Sequence, residues 1–180
     1  PETLEWIDNF DENKKVIFWD IGANIGLYSI YATLKHPAIE VICFEPSTSN
    51  LRILSRNISI NKLEEKIKIN QFPLTNKANQ YQILREKDFI EGVGENAFGV
   101  DYNWQGKNFE SNNNYQIYGT SIDYLIKNKI LKMPNYIKID VDGIEHLILE
   151  GGIECLSSPE LKSICVEIND NLPTQDKIIK

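Results

Sequence analysis

The stretch FWDIGANIGLYSIY, residues 18–31, sets a carboxylate, Asp20, between an apolar run and a pair of glycines, Gly22 and Gly26. Such a run reads as a strand passing into a helix. Glycine there lets the backbone turn tightly and approach a ligand, with the amides of the helix start pointing outward. Glu45 closes the next apolar run, EVICF, 19 positions beyond Gly26. At that spacing a carboxylate can accept both hydroxyls of a ribose. Taken singly, the glycines also suit a packing turn and Glu45 a solvated one; together they point to an adenosine-type ligand.

Asp20 separates the candidate ligands. A pyrophosphate in the same turn would meet a carboxylate, and two unit charges 4 Å apart repel by roughly 4 kcal/mol at an effective dielectric of about 20. NAD and FAD are therefore disfavoured; a nicotinamide-dependent oxidoreductase is the second choice, and a nucleoside-binding module that catalyses nothing is the alternative from another class. S-adenosyl-L-methionine carries a sulfonium and an α-ammonium in place of phosphates, so a carboxylate attracts it. The segment Gly22-Ala-Asn-Ile-Gly26 also lacks the first glycine pair of G-x-G-x-x-G that lets a backbone hug a pyrophosphate. The alternative role for Asp20 is a helix cap or turn carboxylate.

A second polar concentration lies in YIKIDVDGIEHLILEGG, residues 136–152. Lys138, Asp140 and Asp142 alternate with apolar residues and should share one face of a central strand. Buried unpaired they would be costly, so they must pair with one another, with Glu167 through Lys138, or with a ligand. Asp142 can cap the following helix, with Glu145 returning the bond from the third helical position. Asp140 can form an ion pair with Lys138 or act as a general base or orienter of an acceptor hydroxyl. His146, with an ordinary pKa near 6.5, is a third candidate base, or a surface histidine. His36, before a proline, reads as a capping or exposed residue. Asp140, Asp142, Glu167 and Asn169 are oxygen donors, but their spacing does not require a metal, and none is expected.

The elements that position these residues follow from periodicity. Helices are expected over 2–10, from Asn24 to before His36-Pro37, from Ser47 or Thr48 through Leu51, Leu54 and Ile58, over 120–129, and over 143–156. Strands are expected over 16–19, 40–44, 66–72, 136–141 and 163–168. Alternating strands and helices imply a mostly parallel sheet with right-handed crossovers and a ligand at the strands' carboxyl edge. Residues 91–115, rich in Gly and Asn with scattered aromatics, should form an irregular or hairpin-like insertion, a surface excursion or a cover over the ligand.

At 180 residues with 42% hydrophobic content, a single domain over residues 1–180 is expected. The net charge of −7 and pI near 4.9 argue against a nucleic-acid surface. Cys43, Cys155 and Cys165 form no CxxC pair and read as buried small hydrophobes, which with the odd count fits a reducing compartment. No run of about 18 apolar residues is present, so a soluble, cytoplasmic chain without a membrane partner is expected.

Together these residues resemble the FkbM family of class I S-adenosylmethionine-dependent methyltransferases. The matching pieces are DIGANIGLYS (20–29), FEPSTSNLRILSRNISIN (44–61), PLTNKA (73–78), TSIDYLI (120–126), YIKIDVDGIEHLILEGG (136–152) and VEIND (166–170). The resemblance implies an α/β, Rossmann-like methyltransferase sandwich with helices on both faces of the sheet. It implies an S-adenosyl-L-methionine site made by Asp20, Gly22, Ala23, Asn24, Gly26 and Glu45, with Gln71 or Phe72 near the adenine. It also implies methyl transfer to a hydroxyl oxygen of a sugar or a secondary metabolite, with Asp140 and Asp142 nearest the reacting centre. The fold usually has seven strands, whereas only a polar tail through Lys180 follows Asn169, so the last two strands should be missing.

Overall fold

The computed structural model describes residues 2–12 and 14–168. Asn169, offered as an oxygen donor, and the tail on which the expectation of missing strands rests lie outside these residues. The elements run α1 (Glu2–Asp8), β1 (Val16–Ile21), α2 (Leu27–Lys35), β2 (Ile39–Phe44), α3 (Thr48–Ile60), β3 (Ile67–Asn70), β4 (Gln80–Glu86), β5 (Asn96–Phe98), β6 (Asn113–Gly119), α4 (Ile122–Lys127), β7 (Tyr136–Ile139), α5 (Glu145–Glu150), α6 (Ile153–Leu156) and β8 (Ser163–Val166).

Five strands form a parallel sheet in the order β3-β2-β1-β7-β8. β2 and β7 are buried along their whole length and β1 nearly so, which is why β2 lacks apolar/polar alternation and why Lys138 on β7 is enclosed. The chain steps outward from β1 to β3 and returns on the other side of β1 as β7. Strand order therefore reverses between β1 and β7, and the loops leaving their carboxyl ends diverge to open a crevice. Rossmann-like α/β architecture is thus as expected.

Alternate residues of β1 enter two cores. Trp19 and Ile21 pack with Phe44, Ile137 and Ile139 beneath α4 and α5. Phe18 faces α1, where Phe10 meets it edge-on at 5.4 Å and stacks on Tyr136 at 3.9 Å. His36 belongs to this second core: it caps α2 through its backbone, but its ring is buried, stacked on Phe10 at 5.6 Å, and its Nε2 donates to Ile7 O at 2.8 Å. Cys43 and Cys155 are buried as expected, whereas Cys165, on the outermost described strand, is only partly covered. Among the described residues no helix is long and apolar enough to cross a membrane.

Most elements differ from the sequence reading by a few residues at their ends, and four larger differences have a local reason. α2 begins at Leu27, not Asn24, because Asn24 (φ 50°) and Gly26 (φ 89°) are left-handed. β7 stops at Ile139, since Asp142 (φ 61°) and Gly143 (φ 116°) turn the chain; Lys138 is a strand residue, but Asp140 and Asp142 belong to the loop beyond. The helix expected over 143–156 is two, α5 and α6, interrupted at Gly151-Gly152, where a Cβ on Gly151 would overlap Thr75 O. Finally, the excursion is larger and more regular than an insertion at 91–115. β4 pairs with β6 through seven registered positions and with β5 through three, giving a separate antiparallel sheet.

Replacing Phe18, fully buried between α1 and the sheet, with alanine should cost about 3–5 kcal/mol. Urea unfolding followed by circular dichroism measures it; a loss under about 1 kcal/mol would contradict the packing described.

Candidate functional site

Three loops meet where the strand order reverses: those after β1, β2 and β7. Backbone bonds set their spacing. Phe44 O accepts from Gly22 N (3.1 Å) and Ala23 N (3.0 Å), and Asp140 N donates to Ile21 O (3.1 Å). Gly22, at φ 78°, lies so close to the third loop that a Cβ would overlap Asp140 O. Both the backbone sign and the close approach therefore demand glycine.

Glu45, 3% exposed, holds the first loop to the second. Its Oε2 accepts from Asn24 N at 2.7 Å and its Oε1 from Ser47 N at 2.9 Å. The Ser47 hydroxyl, expected to cap α3, instead pairs with Ser49 Oγ at 2.9 Å, and no side-chain cap is made. Burial pushes the Glu45 carboxyl up to about 7 despite those backbone donors.

Lys138 ties the first loop to the third. Its ammonium, 3% exposed, lies 3.4 Å from Asp20 Oδ1, 3.2 Å from Asp140 Oδ2 and 3.4 Å from Gly22 O. Burial alone would push the ammonium's pKa down, but the two carboxylates outweigh it and hold the value above the ordinary lysine range. Asp140 answers in kind: burial raises it, yet a hydrogen bond shared with Glu167 and the Lys138 charge hold it below the usual carboxylate range. Glu167, expected to reach Lys138, hydrogen-bonds Asp140, and its own pKa is raised chiefly by that contact.

Asp142 is not the cap of the next helix. α5 starts at Glu145, and Glu145 Oε1 turns back to accept from Val141 N at 3.1 Å and Gly143 N at 3.2 Å. This frees the Asp142 carboxylate to face the antiparallel sheet, where Oδ2 accepts from Asn96 N at 3.4 Å. Burial, reinforced by the charges of Asp140, Glu145 and Glu167, pushes it up to about 7.

Between these groups opens a cavity of about 120 Å³. Of the expected residues, Gly22, Asn24, Glu45, Asp140 and Asp142 line it. Asn24 Oδ1 is buried there without a hydrogen-bond partner among the described residues. Asp20, Ala23, Gly26, Gln71, Phe72 and His146 are not among the lining residues. Asp20 is fully buried behind the turn, with Oδ2 accepting from Ser29 Oγ at 2.7 Å; the demand of Lys138 for a counter-ion draws it inward. Ala23 packs into the second core, and Gly26 lies against Leu54 on α3. Gln71 is exposed past the end of β3, and Phe72 stands behind Phe44, edge-on at 5.9 Å. His146 is buried on α5, and burial lowers its pKa.

Sequence reasoning missed Asn50, Asn96 and Phe98, which also line the cavity. Asn50 carried a signal: it shares the buried stripe of α3 with Leu54 and Ile58, where a polar residue must find partners. The lining holds three carboxyl groups and, among the described residues, no Lys, Arg or His. Nor is any group of three or more His, Cys, Asp and Glu among the described residues arranged to hold a metal ion.

The family model for the Methyltransferase FkbM domain matches residues 20–179. The chain belongs to this family. A methyltransferase FkbM structure from Methylobacillus flagellatus superposes with a TM-score of 0.58 at 16% identity, covering 91% of this chain and 35% of that one. The precorrin-6y C5,15-methyltransferase of Geobacter metallireducens gives 0.54 at 14% identity, over 99% of this chain and 65% of that one. These likenesses carry the fold. Methyltransferase sdnD of Sordaria araneosa is 36% identical over 72 residues, 40% of this chain and 27% of the relative. The FkbM-family chain thus spans about a third or less of the length of these first relatives in sequence and structure.

Both raised carboxyls in this FkbM-family site exceed the unfolded value of about 4. The folded chain therefore holds extra protons between about pH 4 and pH 7, and stability falls as pH rises through that window. Asp142→Asn should stabilise by on the order of 4 kcal/mol at pH 8 and by little at pH 4. Urea unfolding at the two pH values decides; equal effects at both would mean that Asp142 titrates normally.

Proposed function

We propose that the cavity binds S-adenosyl-L-methionine and that the chain directs its methyl group to a hydroxyl oxygen of a small molecule or glycan. The observation that carries this reading is the lining itself. Three carboxyl groups face the cavity, while Lys138, the nearby cation, is spent between Asp20 and Asp140. A site of that sign attracts a sulfonium and an ammonium and repels a diphosphate. Asp20, the residue first expected to make this choice, contributes at one remove by neutralising Lys138.

The remaining lining fits the same ligand. Asn24 offers an unpaired buried carbonyl oxygen, suited to an ammonium or amino donor. Glu45 stands at the end of β2, where a ribose would be held. The cofactor, when bound, supplies a methyl group activated on a positively charged sulfur. The protein's part is to hold the acceptor oxygen in line and remove its proton. Asp142 suits that task better than Asp140, because its pKa near 7 lies at the working pH, whereas Asp140 is held low. Asp140 then serves with Lys138 to fix the loop from which Asp142 projects.

Calorimetry with S-adenosyl-L-methionine should give binding, and NAD⁺ should give none at the same concentration. Glu45→Gln should weaken the methyl donor at least about tenfold. In a radiolabelled-methyl screen of hydroxylated acceptors, Asp142→Asn should lower kcat by about 10²–10⁴-fold. Comparable heat with NAD⁺, or turnover unchanged in Asp142→Asn, would overturn the reading.

A further inference from the structure

The chain between β4 and β5 crosses the mouth of the cavity, and residues 87–93 are all exposed, including the apolar side chains of Phe89, Ile90 and Val93. No buried apolar side chain anchors this strap. Polar contacts hold it instead: Asn112 donates to Lys87 O at 3.3 Å and to Asp88 Oδ1 at 3.0 Å at its start, and a set centred on Asn50 holds its middle against the cavity. The Asn50 carboxamide, 1% exposed, accepts from Gly92 N at 2.8 Å through Oδ1 and donates to Val93 O at 3.2 Å through Nδ2. Asn24 Nδ2 donates to Gly92 O at 3.3 Å, and Arg52, two residues beyond Asn50 in α3, meets Glu91 at 3.5 Å. Beyond these, Asn96 N reaches Asp142 Oδ2.

Gly94 sits between the two polar walls: a Cβ there would lie 3.5 Å from Asp142 Oδ2 and 3.6 Å from Asn24 Nδ2. The strap thus occupies the span between the group assigned to the proton and the group assigned to the donor. We propose that Asn50 is a positioning residue that latches the 87–95 strap over the cofactor cavity, and that ligand enters and leaves by release of this latch. The proposal rests on the cavity being the methyl-donor site.

The chemistry of the latch explains the residue type. Gly92 and Val93 present one amide and one carbonyl side by side, and a carboxamide, with its acceptor oxygen and donor nitrogen set apart, meets both at once. A segment held by a few hydrogen bonds, with its own apolar side chains left exposed, opens at low free-energy cost, as a gate must. Gly92 contributes from its own side, because its φ of 81° favours glycine.

Two variants attack the latch from opposite sides, Asn50→Ala in α3 and Gly92→Ala in the strap, so that a folding defect in one leaves the other. Hydrogen exchange without ligand should show faster exchange at residues 90–96 in either variant and unchanged exchange in the parallel sheet. Stopped-flow mixing with S-adenosylhomocysteine should show association and dissociation rates both raised, dissociation by at least roughly tenfold, the effect of losing two hydrogen bonds. A purely structural role would change affinity or stability without speeding both rates. Wild-type binding with rates within about twofold of the folded variants would overturn the latch. Absence of S-adenosylhomocysteine binding to the wild type would instead overturn the cofactor reading.

Discussion

A lysine ammonium buried in the middle of a parallel sheet is the constraint from which the site follows. Taken from water without partners, the Lys138 charge would cost several kcal/mol, so the fold must bring anions to it from neighbouring segments. Asp20 comes from the adjacent strand, Asp140 from the loop just beyond its own, and the Gly22 carbonyl from the turn between. Asp20 stands near the end of β1, while Gly22 and Asp140 belong to the two loops that diverge at the reversal of strand order. One ion cluster therefore fixes the separation of the loops and absorbs the Lys138 charge, which could otherwise have faced a ligand. What remains toward the cavity is negative.

The same constraint divides the acidic residues by role. Asp20 and Asp140, close to Lys138, are kept for structure and orientation. Glu45 and Asp142 face a drier region that, among the described residues, no Lys, Arg or His lines, and burial raises both to about 7. Groups of like kind separated in this way by environment are the usual material of acid and base assignment. The antiparallel sheet completes the arrangement by closing the outer wall with Phe98 and by giving Asp142 the backbone donor of Asn96.

How much of this could be read from the residues depends on the range of the interaction. β1 and β2 and the turn through Gly22 were legible because local pattern and backbone geometry agree, and the parallel sheet followed from element order. Lys138, Asp140 and Asp142 were rightly grouped, but their shared face was not, since the left-handed turn at Asp142 and Gly143 carries Asp142 off the strand line. β4 and β6 escaped notice because Gln80–Glu86 and Asn113–Gly119 are rich in polar residues, and their alternation matters only once each pairs with the other. Asp20 was read as facing the ligand for a related reason: sequence shows a carboxylate at a strand end but not the lysine, far along the chain, that claims it.

The central claim, that carboxyl groups held partly protonated await a cationic ligand, has a direct signature in proton exchange. Calorimetric titration of S-adenosyl-L-methionine at pH 6.5, repeated in two buffers of different ionisation enthalpy, counts the protons that move on binding. The account predicts net release, as Glu45 and Asp142 ionise beside the incoming charge. Binding without proton movement, or with uptake, would contradict it.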